Sequence, residues 1–112
     1  MKKIVIWGTG KTSEEFIHTL SLKVEIIAYI DNFSNEKVWK AKPIYKLDEF
    51  LKMKIAYDYL IVASIYSNEI FAQCQDVINL KKIMFLYPFG LPSAARDIIF
   101  SHQNTIFLQE IA

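Results

Sequence analysis

Ile4-Val5-Ile6-Trp7-Gly8-Thr9-Gly10-Lys11-Thr12-Ser13 is the stretch that decides how this chain is read. An apolar run enters two closely spaced glycines, and a helical pattern begins directly after them. Strand, glycine turn and helix in that order bring backbone N–H groups up to a bound phosphate. Gly8 has access to dihedrals that a side chain would forbid, and Gly10 lets a ligand approach the main chain. The full G-x-G-x-x-G fingerprint needs a third glycine where Ser13 stands, so the turn alone is a weak signal. A second strand-like run, Val24 to Ile30, strengthens it by ending in Asp31, 21 positions after Gly10. That is close to the spacing at which a carboxylate meets a ribose hydroxyl.

Working outward, strands and helices alternate. Ile4 to Trp7 is a continuous apolar strand, the pattern of a parallel sheet covered on both faces. Lys11 to Leu22 is expected to be helical, with Phe16, Ile17 and Leu20 on one face. After Asp31-Asn32 comes a polar stretch, then a short extended piece at Pro43-Ile44-Tyr45, where a proline suits an edge strand. Leu47 to Met53 reads as a short helix, Tyr57 to Ala63 as a buried strand ending at Ser64, and Asn68 to Leu80 as a helix capped by Ser67 or Asn68. Its stripe is Ile70, Phe71, Cys74, Val77 and Ile78, and Ile83 to Tyr87 is the last clear strand. Ala94 to Phe100 and Thr105 to Ile111 are two weaker elements. The order predicts one α/β domain over 1–112: a three-layer, Rossmann-like fold with a parallel sheet of about five strands in order 3-2-1-4-5. Helices lie on both faces, and the edge strand is the one near Pro43.

In such a sheet, ligands bind at the carboxyl ends of the strands, where the order reverses. Gly8, Thr9, Gly10, Lys11, Thr12, Asp31, Asn32 and Ser64 all fall at those ends and form the candidate site. Each has a plainer reading. The glycines can make a tight turn with no ligand, and Asp31 can be a turn former. Ser64 is either a helix-proximal cap or a hydroxyl facing a phosphate, and Lys11 is either a phosphate ligand or a surface lysine. Asn32 and Phe33 would flank a sugar or base. Against a P-loop, Val5 stands where the Walker pattern requires its first glycine, and Ile6 and Trp7 are strand-like.

Composition narrows the function classes. The 112 residues carry a net charge of +1, with 53% hydrophobic and 22% charged, as in a globular domain of modest core. Basic residues are scattered, which gives nucleic acid no continuous stripe. No apolar run nears the roughly 18 residues that cross a bilayer, and no leader pattern precedes the first strand. The lone Cys74 is expected as a buried or half-buried thiol, and a cytoplasmic location follows. Neither His18 nor His102 pairs with an acid or with Cys74 in a catalytic pattern, and metal-ligand spacings do not occur.

The segment Lys3 to Tyr87 resembles the small nucleotide or nucleotide-sugar binding domains of bacterial surface-glycan assembly, found at the N-terminus of sugar O- and N-acyltransferases. The likeness rests on Ile4 to Gly10 with Glu14-Glu15-Phe16, Ile27 to Asn32, Lys42 to Tyr45, and Tyr59 to Ser64. In that family the glycine turn and the acid after the second strand line the ligand crevice, which implies the same for this chain. Two features depart from it. No glycine occurs between Asn32 and Pro43, where Trp39 stands, and the catalytic β-helix with its histidine is missing. The resemblance therefore implies a nucleotide or nucleotide-sugar binding module of polysaccharide biosynthesis without catalytic residues of its own. The alternatives are an NAD(P)-binding part of an oxidoreductase or epimerase completed by a partner chain, and a ligand-free interaction or dimerisation domain. The tail at 93–112 bears on the last, because Ile98, Ile99, Phe100, Ile106, Phe107, Leu108 and Ile111 either cover the sheet or form a contact with a second copy or a partner transferase.

Overall fold

Alternation along the strands sorts their side chains onto two faces. A computed structural model describes residues 1–21, 23–97 and 99. Its sheet has six strands: β1 (Lys2–Trp7), β2 (Val24–Ile30), β3 (Val38–Trp39), β4 (Lys42–Tyr45), β5 (Tyr59–Val62) and β6 (Ile83–Phe85), in the order β3-β4-β2-β1-β5-β6. Three helices are α1 (Lys11–Ile17), α2 (Leu47–Met53) and α3 (Ser67–Cys74). Residues 93–97 are also helical.

Val5, Trp7, Leu60, Val62, Ile83 and Phe85 point to one face, where they pack with Phe50 of α2 and with Ile70, Phe71 and Cys74 of α3. Ile4, Ile6, Ile61 and Met84 point to the other, where Phe16 of α1 covers them together with Tyr29 and Ile44. Burying each such side chain contributes about 1.5–3 kcal/mol, so these two clusters hold the sheet between its helices. A register shift between Ile4 and Val5 places one extra residue in β2. Ile27 and Ala28 consequently join the same face, and Tyr29 resumes the alternation on the other.

Two strand expectations are corrected. The sheet is mixed, because β3 pairs antiparallel with β4 through Val38↔Pro43 and Trp39↔Lys42. The strand near Pro43 is thus second from the edge, flanked by β3 and by β2, which it meets in parallel through Tyr29↔Ile44 and Ile30↔Tyr45. Two residues are too few to show a period, so β3 left no pattern to read. Trp39 packs edge-on against Tyr29, with ring centroids 4.8 Å apart, and so anchors the short strand to the sheet.

Helix ends also move. α1 stops at Ile17, with His18 as its C-cap, and the chain turns through Thr19 and Leu20 instead of continuing to 22. α3 stops at Cys74, after which Ile78 remains buried while Val77 is exposed and leaves the apolar stripe. Ser67 and Asn68 do not cap α3. Its N-cap is Tyr66, and the buried Ser67 hydroxyl donates instead to the Tyr87 carbonyl. Of the tail at 93–112, Ala95 and Ile99 pack into the larger cluster. Ile98, Phe100, His102 and the element expected at Thr105 to Ile111 lie outside the described residues.

Candidate functional site

The glycine turn is fixed from below by groups that only this geometry brings together. The Gly8 N–H donates to the Ile30 carbonyl at 2.9 Å, continuing the β1–β2 ladder past the end of β1. Gly8 has φ of 120°, and a Cβ there would stand 2.9 Å from both the Ala63 carbonyl oxygen and Ser13 Oγ. Only glycine fits. Ser13, which replaces the third fingerprint glycine, is buried, and its hydroxyl donates to the Gly8 carbonyl at 2.7 Å. The departure from the fingerprint is therefore a hydrogen-bonded strut that joins α1 to the turn.

Gly10 differs in kind. It is exposed, it is the N-cap of α1 with φ of −100°, and nothing lies within 4 Å of the position a Cβ would take. Its glycine is not required by the fold, and the space beside it is a cavity of about 720 Å³. Gly8, Thr9, Gly10, Lys11, Thr12, Asp31, Asn32 and Ser64 all line that cavity, so the topology brings every candidate residue to one place.

Several of them are already engaged. Asp31 Oδ2 accepts from the Thr9 hydroxyl at 2.7 Å, while Oδ1 accepts the Phe33 and Ser34 amides at 2.9 and 3.1 Å. Asp31 thus organises the turn after β2 and ties it to the glycine turn. Asn32 Oδ1 accepts the Leu47 amide at 2.8 Å, which caps α2, and Nδ2 donates to Gln73 Oε1 of α3 at 2.8 Å. One side chain so joins three elements. Ser64 Oγ accepts the Tyr66 amide at 3.1 Å, the local turn that starts α3.

The far wall lies outside the set of residues expected from the sequence. Ile65, Tyr66, Glu69, Ile70 and Gln73 line it, with Trp7, Ala63 and Phe33 completing the cavity. Phe33 is 94% exposed, and Ile65 and Tyr66 are mostly exposed as well. The signal available in the sequence was the spacing of Glu69 and Gln73, four apart on the face of α3 away from Phe71 and Cys74. Behind that wall Cys74 is free and buried, and burial pushes its thiol up to about 11, so it stays protonated and inert near neutrality. Burial likewise raises the phenol of Tyr57, with the Cys74 charge adding to it. His18 is exposed at the C-cap of α1 and lies outside the cavity. Among the described residues no group of three or more His, Cys, Asp or Glu side chains is placed to hold a metal. No described helix is long and apolar enough to cross a membrane.

The molecule is thus an α/β protein with a mostly parallel sheet and an open, glycine-edged cavity at the carboxyl ends of β1, β2 and β5. The C2185-like, N-terminal family model matches residues 1–84, which run from β1 through the cavity-forming loops into β6, and the chain belongs to that family. No curated protein matches it.

Proposed function

We propose that this chain is a Rossmann-like module that binds a nucleotide or nucleotide-sugar in the cavity beside Gly10. The single observation that carries the reading is the convergence of all eight candidate residues on one cavity of about 720 Å³, a size suited to a small ligand. The exposed Gly10, with open space at its Cβ position, gives a phosphate access to the main chain. The first amides of α1 have no intrahelical acceptor, and Lys11 stands beside them. Phe33 and Tyr66 offer exposed rings on either side of the mouth for a planar base. No reaction is assigned to this chain. The resemblance to the N-terminal domains of sugar acyltransferases supports a cytoplasmic role in surface-glycan metabolism, with a partner transferase supplying catalysis.

A second reading is favoured by one specific feature. Phe33, Ile65 and Tyr66 are exposed apolar side chains on the cavity's lining, and Phe89, exposed as well, lies in the turn Pro88–Gly90 that packs against α3. Such a rim also suits an interaction domain whose partner or second copy covers the cavity. A thermal-shift series with NAD(H), NADP(H), UDP- and GDP-sugars, CMP, ATP and acetyl-CoA separates the two. The nucleotide reading expects one class to raise the melting temperature with concentration, because a ligand held at about 100 times its Kd stabilises the native state by about 2.7 kcal/mol. No shift with any of them, together with a dimer by light scattering, would replace it with the interaction reading.

A further inference from the structure

The nucleotide reading assigns the sugar hydroxyls to Asp31, by the spacing of that acid from the glycine turn. The hydrogen bonds around Asp31 leave it poorly suited to the task. A carboxylate offers about four lone-pair positions. Three of them are taken, by the Thr9 hydroxyl and by the amides of Phe33 and Ser34. A vicinal diol donates two hydrogen bonds, and Asp31 has room for one.

Glu69 is placed differently. It lies in the first turn of α3 and lines the cavity on the β5–α3 side. It is exposed, and no hydrogen bond or ion pair holds it among the described residues, so both oxygens are open. A ligand filling the cavity takes water from that carboxylate, which is costly unless the ligand returns donors to it. Lys11 and the exposed Gly10 stand on the α1 side. The cavity is therefore polarised: on the α1 side stand a cation and an open main chain, with the Asp31 carboxylate taken up by three protein donors, and on the other stands a carboxylate with none among the described residues. That polarity matches a ligand with a phosphate at one end and hydroxyl donors at the other. It opposes the reverse orientation, which would set a phosphate against the carboxylate that no described protein donor compensates.

Resting on the nucleotide reading, we infer that Glu69 is the residue that selects for a sugar diol, and that Asp31 is a structural strut. The test compares AMP, GMP, CMP and UMP with their 2′,3′-dideoxy counterparts by titration calorimetry, on the wild-type protein and on Glu69→Gln. Hydrogen bonds to a charged acceptor make the expected preference for the ribose form about ten-fold or more in the wild type. In Glu69→Gln the ratio falls to about three-fold or less, while an exposed and unpartnered side chain leaves the melting temperature of the free protein unchanged. A preference that survives in Glu69→Gln, or a wild type that does not distinguish the two sugars, overturns the assignment and leaves the nucleotide reading in place. Failure of the wild type to bind any of these four overturns the assignment, and if NAD(H), NADP(H) and the UDP- and GDP-sugars also give no thermal shift, the nucleotide reading falls with it.

Discussion

The two walls of the cavity are built on opposite plans. On the β1–β2 side, Thr9, Asp31 and Asn32 spend their polar atoms on the protein, bonding one another's loops and the ends of α2 and α3, and the buried Ser13 braces the glycine turn. On the β5–α3 side, Ile65 and Tyr66 stand exposed and Glu69 has no described partner. The first wall is a frame, since removing any of its members leaves a buried or half-buried group unsatisfied. The second is a surface carried by a helix whose inner face, Ile70, Phe71 and Cys74, does the packing. Stability is therefore concentrated on one side of the cavity and freedom to contact a ligand on the other. Variants that place their cost on one wall alone test that division.

The largest effect is expected at Gly8. Gly8→Ala puts a Cβ 2.9 Å from the Ala63 carbonyl, which is backbone of β5's end, and holds an L-residue at φ of 120°. Strain of this kind costs about 1–3 kcal/mol before the clash is counted. A loss of about 3 kcal/mol is expected, which lowers the melting temperature by roughly 10 °C. Circular dichroism melts measure it. A Gly8→Ala protein as stable as the wild type would mean that the two walls are not locked together at this turn.

Asp31→Ala ranks next. It removes the acceptor for two amides and for the Thr9 hydroxyl in a single change. Hydrogen bonds to a charged acceptor are worth about 1.5–3 kcal/mol, and partial exposure of the site lets water replace some of that. A destabilisation of about 2 kcal/mol by urea unfolding is expected. The same unfolding on Glu69→Ala should differ from wild type by less than about 0.5 kcal/mol, as for other exposed substitutions. Equal losses at the two carboxylates would erase the contrast between frame and surface.

The same contrast explains what could be read from residues alone. Val24–Ile30 and Leu47–Met53 have the bounds that their apolar patterns predict, because the apolar run ends at Asp31 in the first and the stripe of Leu47, Phe50 and Leu51 gives out in the second. Lys54 is left-handed, with φ of 50°, a helix stop that the absence of glycine conceals. The β3–β4 hairpin was hidden for a similar reason. Its two-residue turn, Lys40-Ala41, takes φ of 48° and 64°, where Asn-Gly is the usual signature. The frame of the site was legible because glycines and acids at strand ends are positional signals. What those side chains bond was not, since Ser13 and Asn32 are defined by partners distant in sequence. The surface wall escaped because spacing shows which face of α3 is apolar, and not what the polar face overlooks.

Gly10→Val tests the ligand side of the frame wall. Nothing lies within 4 Å of the new Cβ, and φ of −100° suits any residue. Valine is a poorer N-cap than glycine, so a loss below about 1 kcal/mol is expected. Under the proposed function, binding of whichever nucleotide stabilises the wild type should disappear, because the branched side chain occupies the approach to the main chain. Full binding by Gly10→Val would exclude a ligand at this turn while leaving the fold's need for Gly8 intact.

The smallest effect on the fold, and the sharpest probe of the surface wall, is expected from Tyr66→Ala. Tyr66 is 63% exposed, and its backbone already serves α3 as N-cap without help from the ring. Removing the ring takes no group out of either core cluster, so the melting temperature should stay within about 2 °C of wild type. If the ring stacks on a base, affinity falls by about ten-fold, the scale of one aromatic contact at about 1–3 kcal/mol. If the rim instead meets a second chain, Tyr66→Ala leaves nucleotide affinity unchanged and weakens the dimer seen by light scattering. The outcome that would break the comparison is a large loss of stability in the monomer. It would make Tyr66 part of the frame, and the fold would then depend on the β5–α3 side as heavily as on the glycine turn opposite.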